Sequence, residues 1–124
     1  MTMHPNYHRV VRMLERFGGF YTFEDILKCI EAGTMQSFAF GNSWAVTQIC
    51  EFPRKRALDI VFMVGDAEEL QLLESDLIGF AREHGIEYMM ANGRVGFEKK
   101  KFDGWKHVSS TFIKELGDDT EAAN

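Results

Sequence analysis

A strand, a long helix and a second strand follow one another in the middle of the chain, and this succession constrains the fold more than any other feature. Residues 60–64 are apolar without interruption, which is typical of a strand covered on both faces, so a strand is predicted over Leu58–Val64. The next helix is predicted to begin after Asp66 and to end at Gly85. A strand over Ile86–Ala91 then returns parallel to the first, because a helical crossover of this kind connects parallel neighbours.

The first third of the chain changes from helical to strand spacing. Apolar residues recur at helical spacing over Tyr7–Phe17 and Phe23–Ile30, and Thr22 with Asp25 forms a capping arrangement before the second helix. Beyond Gly33 the apolar period changes to two, which is typical of half-buried strands. Strands are therefore predicted over Met35–Phe40 and Trp44–Phe52.

The end of the chain is predicted to complete the sheet. A short helix is expected over Val95–Phe102, a last strand over Trp105–Leu116, and an acidic, frayed tail over residues 117–124. The predicted fold class is α+β, with a mixed twisted sheet of about five strands, two N-terminal helices, one long crossover helix and one short helix. Since no linker divides the sequence, residues 1–116 are predicted to form a single domain.

Length, charge and cysteine content narrow the classes of protein further. The 124 residues suffice for one hydrophobic core, and the formal charge of -5 argues against a nucleic-acid partner. No run of about 18 apolar residues occurs, which argues against a membrane span. Cys29 and Cys50 provide neither a disulfide framework nor metal-ligand spacing. We therefore predict a reduced, cytoplasmic setting and no metal site.

The run Ile86–Phe112 reads as a strand ending in Asn, a short basic helix, a Gly-aromatic pair and a strand. This order resembles the closing segment of the GNAT family of N-acetyltransferases. The segment Ala45–Asp66, with the sequence GRVGF over residues 93–97 and the pair Gly104-Trp105, resembles short acetyltransferase-like proteins encoded by tailed phages and prophages. The resemblance spans residues 20–116 and implies a GNAT-like fold.

The resemblance also implies a cofactor site at the start of the long helix. Gly65, Asp66 and Ala67 would hold the diphosphate of acetyl-CoA there, together with Asn92 at the end of the next strand. The family motif is Gln/Arg-x-x-Gly-x-Gly/Ala, whereas residues 65–70 read GDAEEL. The second glycine and the leading basic residue are missing, and each of the three carboxylates would cost a bound diphosphate on the order of 1 kcal/mol. We therefore expect no cofactor, or acetyl-CoA if the chain is an enzyme.

The catalytic groups that the resemblance implies are only partly represented. The family carries a Tyr on the short helix as the acid for the departing thiolate, but residues 92–105 contain none, so Tyr88 on the neighbouring strand is the candidate. Glu51 and Asp59 are the candidates for a general base, provided that burial raises the pKa of one of them toward neutrality. A solvated strand carboxylate with no catalytic role is the more common explanation for either residue.

Basic and aromatic residues indicate contacts with other proteins. Arg54, Lys55 and Arg56 form a basic hairpin tip suited to an acidic partner, and Phe38, Phe40 and Trp44 beside a turn are predicted to form an exposed docking patch. We therefore expect a non-catalytic, phage-type GNAT-fold protein that acts through protein contacts, in virion assembly or morphogenesis, in the host cytoplasm or the virion. The alternatives are an acetyl-CoA-dependent N-acetyltransferase with a divergent loop and a small phage regulator of a host enzyme. Self-association stays open in each case.

Overall fold

A four-stranded mixed sheet forms the centre of the fold. The computed structural model describes residues 6–16, 18–92 and 104–117. The elements within these residues are, in order, α1 (Tyr7–Arg16), α2 (Phe23–Ala32), β1 (Gln36–Phe40), β2 (Ser43–Glu51), β3 (Arg56–Val64), α3 (Ala67–Glu83) and β4 (Tyr88–Ala91). The strands lie in the order β1-β2-β3-β4, with β1, β2 and β3 antiparallel and β4 parallel to β3. The α+β class and the parallel crossover are confirmed.

Local hydrogen bonds fix the start and end of α2 as the sequence predicts. The Asp25 amide donates to the Thr22 hydroxyl over 3.2 Å, and the Thr22 amide donates to the Asp25 carboxylate over 2.9 Å. The backbone bond from Thr22, followed by the Thr22 hydroxyl, lowers the pKa of the Asp25 carboxyl. Gly33 then ends the helix at a φ of 83°, a conformation that glycine adopts without strain.

Two hydrophobic cores lie on opposite faces of the sheet. The residues that pack against α1 and α2 include Val10, Leu14, Ile26, Met35, Trp44, Val46, Phe62 and Val64. Those that pack against α3 include Ala45, Leu58, Ile60, Leu73, Leu77, Ala81 and Ile86. The predicted coverage of β3 on both faces is thus confirmed.

A β-bulge at Val61 divides β3 into two halves. Leu58 and Ile60 face α3, but Phe62 and Val64, which alternation alone would place on that same face, pack toward α1 and α2. The strand register explains this change, because Val46 of β2 pairs with Phe62 whereas the next residue of β2 pairs with Ile60. Val61 is therefore the extra residue of a bulge, which re-aims the side chains that follow it.

The predicted last strand is wrong. Residues 105–117 contain no regular secondary structure, so the described chain has four strands rather than five. Val108, Phe112 and Leu116 do share the spacing of a strand face, but they are 80%, 91% and 81% exposed. Spacing alone forms no strand when no neighbouring strand pairs with it. Trp105 anchors the segment instead, because its indole donates to the Glu74 carboxylate over 2.6 Å and its ring packs on the α3-side core.

Two other predictions concern residues that the structure leaves out. The short helix over Val95–Phe102 and the acidic tail beyond Gly117 lie outside the described residues. Of the helices within the described ranges, none combines the length and the apolar character that crossing a membrane requires.

The predicted aromatic docking patch beside the β1–β2 turn is wrong. Trp44 is only 6% exposed and donates its indole N–H to the Ser37 hydroxyl over 2.7 Å. Phe38 packs edge-on against Phe80 of α3, and only Phe40 among the three is exposed. The alternation that indicates a half-buried strand does not say which of its faces the helices cover.

Candidate functional site

Among the described residues, the parallel pairing of β3 and β4 ends before β3 does. The paired positions run from Ala57 opposite Tyr88 to Ile60 opposite Ala91. The bulge at Val61 follows immediately, and within the described residues no strand pairs with this edge of β3 from Val61 to Val64. Ligands of open α/β sheets bind beyond the carboxyl ends of parallel strands. We call this place, between residues 61–64 and residues 91–92, the β3–β4 crevice.

The start of α3 lies at the same end of the sheet. Asp66 is the N-cap residue with extended backbone, as predicted, but its side chain makes no capping hydrogen bond. The first intrahelical bond runs from the Leu70 amide to the Asp66 carbonyl over 2.8 Å. The amides of Ala67, Glu68 and Glu69 precede it and point out of the helix end, where backbone donors and the helix dipole favour an anion.

Ser43 of β2 supplies the cap that Asp66 does not. Its hydroxyl is fully buried, accepts from the Asp66 amide over 3.1 Å and donates to the Glu69 carboxylate over 2.6 Å. A Cβ on Gly65 would overlap Ser43, and a Cβ on Gly41 would overlap the Glu69 carboxylate, so this arrangement requires glycine at both positions. The sequence pattern gives no sign of Ser43, because its partners lie 23 and 26 residues away.

This contact changes the electrostatics that the sequence predicts for the start of α3. Ser43 and Gly41 lie at the β1–β2 turn, and the strand order places β2 on the opposite side of β3 from β4. The Glu69 carboxylate is therefore held on the side of β3 away from the β3–β4 crevice. Of the three carboxylates expected to crowd a diphosphate, only Asp66 and Glu68 lack this restraint.

Asp59 lies on β3 beside the last paired position of the crevice. It is opposite Gln48 on β2 and Met90 on β4, and the Gln48 side-chain amide donates to its Oδ2 over 2.9 Å. Because Leu58 and Ile60 face α3, Asp59 faces the other side of the sheet. Burial raises the pKa of the Asp59 carboxyl, and the Gln48 hydrogen bond offsets part of the rise.

Cys50 lies on the same sheet face as Asp59 and does not act as a ready nucleophile. Burial and, to a smaller extent, the charge of Asp59 raise the pKa of the Cys50 thiol. A raised thiol pKa keeps the sulfur protonated and poorly nucleophilic at neutral pH. Within residues 6–16, 18–92 and 104–117, no three His, Cys, Asp or Glu side chains are grouped so that they could hold a metal ion.

Glu51 and Tyr88 lie at the opposite end of β3, which we call the hairpin end. Glu51 is the last residue of β2, has a side chain that is 74% exposed, and pairs with Arg56 over 3.5 Å. Tyr88 begins β4, and the Lys55 ammonium lies 4.0 Å from its ring centroid. A strand of nine residues places this end roughly 26 Å from the start of α3, at about 3.3 Å per residue.

The structure thus separates the residues that the sequence singles out. Gly65, Asp66, Ala67 and Asn92 all lie at the crevice end of the sheet, and Asp59 lies beside it. Glu51 and Tyr88 lie at the hairpin end, where a shallow groove of about 420 Å³ runs along the basic turn and the start of β4.

Known structures share this arrangement of elements. No protein-family model matches the sequence, and no curated protein matches it significantly. An aminoglycoside acetyltransferase from an uncultured soil metagenomic sample, solved with trehalose, is similar with a TM-score of 0.62 and 14% identity, over 91% of this chain and 90% of that one. The ribosomal-protein-alanine N-acetyltransferase of Brucella melitensis biovar Abortus 2308 is similar with a TM-score of 0.55 and 13% identity, over 92% and 95% of the two chains. The fold is therefore GNAT-like.

Proposed function

We propose that this chain is an acetyl-CoA-dependent N-acetyltransferase whose cofactor diphosphate binds the first-turn amides of α3. The observation that carries the proposal is the position of these amides, which open at the carboxyl end of the parallel β3–β4 pair. The fold is shared along nine-tenths of the chain with proteins described as acetyltransferases, which supports the choice of cofactor. The acidic sequence GDAEEL over residues 65–70 by itself favours a non-catalytic role, and the position of the amides leads us to propose a catalytic role instead.

The backbone amides at the start of α3 are suited to bind a diphosphate, whereas the acidic side chains beside them are not. The amides of Ala67, Glu68 and Glu69 precede the first intrahelical bond and are directed out of the helix end. Backbone N–H groups at a helix start bind phosphate without needing a basic side chain. Asp66 and Glu68 oppose the anion, so we expect an affinity weaker than that of a basic loop.

Asp59 is the residue that we assign to proton transfer. Bound acetyl-CoA would supply an activated acetyl thioester, and the acceptor amine would form the new amide bond while the carbon–sulfur bond breaks. Asp59 would take the proton that the amine nitrogen loses, with Gln48 orienting the carboxylate through Oδ2. The raised pKa of Asp59 makes it a better base than an ordinary carboxylate. Tyr88, the acid that the sequence suggests for the departing thiolate, lies at the hairpin end, so we assign it no role.

A proline at residue 67 tests the proposed diphosphate contact directly. Ala67 is the first residue of α3, where proline is well tolerated, and Asp66 already has the extended backbone that a following proline requires, with φ -79° and ψ 143°. Ala67→Pro therefore removes one amide donor with little strain. We expect acetyl-CoA, titrated by calorimetry, to bind this variant about tenfold more weakly, as the loss of one hydrogen bond to a charged group predicts.

Ala67→Gly is the matched control, because it changes the same side chain and keeps the amide. It should bind acetyl-CoA within about twofold of the wild-type chain, as expected when no hydrogen bond is lost. If the wild-type protein gives no heat at millimolar acetyl-CoA, the proposed function is wrong. If Ala67→Pro binds as well as Ala67→Gly, acetyl-CoA binds elsewhere.

A second candidate role, self-association, has a specific observation in its favour. Val108, Phe112 and Leu116 form an outward-facing apolar row, and the segment that carries them contacts its own domain through Trp105 and Ile113. The outer edge of β4 also pairs with no strand within the described residues. Because a segment with the apolar spacing of a strand and an unpaired strand edge belong to one chain, we propose a second copy as the occupant, through antiparallel strand addition.

Light scattering during size-exclusion chromatography distinguishes a dimer from a monomer. Phe112→Ser should convert a dimer into a monomer, whereas Thr34→Ser, an exposed change on the α2–β1 loop, should not. A wild-type monomer at high protein concentration would overturn this second role. The phage origin and the virion role stay predictions, since the similar structures named above are described as acetyltransferases.

A further inference from the structure

We infer that Ser43 and Glu69 are positioning residues of the cofactor site, which keep a carboxylate away from the bound diphosphate. The inference rests on the proposed function and adds to it a device that the acidic loop requires. Glu69 is the third residue of α3 and so lies in the turn whose amides face the anion. Without a restraint its charge could swing toward the crevice. With the restraint it lies at the β1–β2 turn, on the far side of β3.

The restraint is built from four residues that fit together closely. Glu69 Oε1 accepts from the Ser43 hydroxyl over 2.6 Å, and the same hydroxyl accepts from the Asp66 amide over 3.1 Å. Gly65, at φ 142°, and Gly41, at φ 59°, leave the space that the Ser43 and Glu69 side chains occupy. A single buried hydroxyl therefore fixes both the direction of one acidic side chain and the path of the chain into α3.

Two readings of this cluster make different predictions. If the cluster only ties the β1–β2 turn to α3, its removal should lower stability and affect every ligand to the same degree. If it positions charge, its removal should weaken ligands that carry the diphosphate and leave those without it unchanged. The geometry favours the second reading, because the restrained group is a charge and lies in the turn that would hold the anion.

Ser43→Ala separates the two readings when it is titrated with two ligands. Acetyl-CoA carries the diphosphate, and acetyl-pantetheine carries the same acetyl thioester without it. We expect Ser43→Ala to bind acetyl-CoA about tenfold more weakly, because one carboxylate is released toward the anion. Binding of acetyl-pantetheine should not change. The matched control is Ser37→Ala, which also removes a hydrogen-bonded hydroxyl, the acceptor of the Trp44 indole.

Glu69→Gln supplies the second half of the test. The glutamine oxygen can still accept from Ser43, and the charge that is removed is already held away from the diphosphate, so we expect Glu69→Gln to bind acetyl-CoA within about twofold of the wild type. The double variant Ser43→Ala with Glu69→Gln should recover most of the affinity that Ser43→Ala alone loses. If Ser43→Ala fails to fold, the affinity of Glu69→Gln decides: a gain of about tenfold in that variant overturns the inference, because it would show that the wild-type charge already acts on the diphosphate.

The possible failures can be told apart. Wild-type protein that does not bind acetyl-CoA refutes the proposed function and this inference together. Wild-type protein that binds acetyl-CoA, with a Ser43→Ala variant that binds it equally well, refutes the inference alone. Equal weakening of acetyl-CoA and acetyl-pantetheine, or no recovery in the double variant, shows a structural tie and also refutes the inference alone.

Discussion

The two ends of β3 differ in the groups that would attract an anionic ligand. The hairpin end carries the cationic residues Arg54, Lys55 and Arg56, whereas the crevice end carries acidic residues and the amides that begin α3. At the hairpin end Lys55 lies over Tyr88, and Arg56 contacts Glu51 and donates to the His84 carbonyl over 3.0 Å. The amides of the crevice end precede the first bond of the helix. Net charge therefore favours one end of the strand and backbone geometry the other.

This difference explains why we place the proposed cofactor site by backbone geometry rather than by charge. Surface cations that already have partners contribute little to binding, and salt screens them. Fixed backbone donors keep their direction regardless of the side chains nearby. Four predictions compare the two ends of β3 in catalysis, stability and cofactor binding, and they are given from the largest expected effect to the smallest.

The largest effect should come from the two candidate bases: Asp59 lies near the middle of β3, just before the crevice begins, and Glu51 lies at the hairpin end. Asp59→Asn keeps an oxygen that can accept from Gln48 but removes the carboxylate that we propose as the proton acceptor. We expect the acetyl-transfer rate to fall by roughly 10²- to 10⁴-fold, the usual contribution of a general base. Release of free coenzyme A thiol with a panel of primary amines measures the rate, and calorimetry should show acetyl-CoA binding unchanged.

Glu51→Gln is the control for this prediction, because it makes the same change of charge at the hairpin end. Glu51 is largely exposed and pairs only with Arg56 in the described residues, so the transfer rate should stay within about twofold of the wild type. A large loss in Glu51→Gln together with an active Asp59→Asn would move the catalytic site to the hairpin end.

Two glycines give the next largest effect, this time on stability. Gly65 at the crevice end has a φ of 142° and no room for a Cβ beside Ser43. Gly85 at the hairpin end has a φ of 69° and open space around it. We expect Gly65→Ala to lower the free energy of unfolding by about 3 kcal/mol, from backbone strain and overpacking, and Gly85→Ala by about 1 kcal/mol, from strain alone. Urea denaturation measures both, and equal losses would show that the Ser43 contact is not tight.

Sequence patterns predict the parts of this fold that depend on neighbouring residues. Thr22 and Asp25 lie three positions apart, so their capping box is readable directly, and the apolar run of β3 reveals its buried position. The parallel pairing of β3 with β4 follows from the connecting helix, because handedness and length leave few alternatives.

The rest depends on contacts between distant residues. Glu69 is read correctly as an acid at a helix start, but its partner Ser43 is 26 residues away, so its direction is not readable. The bulge at Val61 lies inside an apolar run where any register looks acceptable. Val108 and Phe112 have strand spacing without a strand beside them. The separation of Glu51 from Asp59 likewise depends on how β2 pairs with β3. Glu51 is opposite Arg56, whereas Asp59 is opposite Gln48, three positions further from the hairpin turn.

A smaller effect should distinguish the two ends by affinity for acetyl-CoA. Asp66→Asn removes one negative charge from the crevice end, and Lys55→Gln removes one positive charge from the hairpin end. If the amides of α3 hold the diphosphate, Asp66→Asn should tighten binding about fivefold, for a relief of about 1 kcal/mol. Lys55→Gln should change it by less than about twofold, since a charge at that distance interacts weakly through water even without screening. The reverse pattern, measured by calorimetry at low salt, would assign the diphosphate to the hairpin end.

The smallest effect should be the pH dependence of stability that Asp59 contributes. Burial raises the pKa of this carboxyl above the 3.8 of a solvated group, so between the two values the folded chain binds more protons than the unfolded chain. The free energy of unfolding should therefore fall as pH rises through that window, and then stay level once Asp59 is ionised in both states. Asp59→Asn should lack this fall, so its stability relative to the wild type should increase with pH. Asp25, whose pKa is lowered, acts in the opposite sense, but it is common to both proteins and cancels in the difference. Urea denaturation of both proteins at several pH values measures that difference, and a difference that does not change with pH would mean that Asp59 is as well solvated as Glu51 and has no advantage as a base.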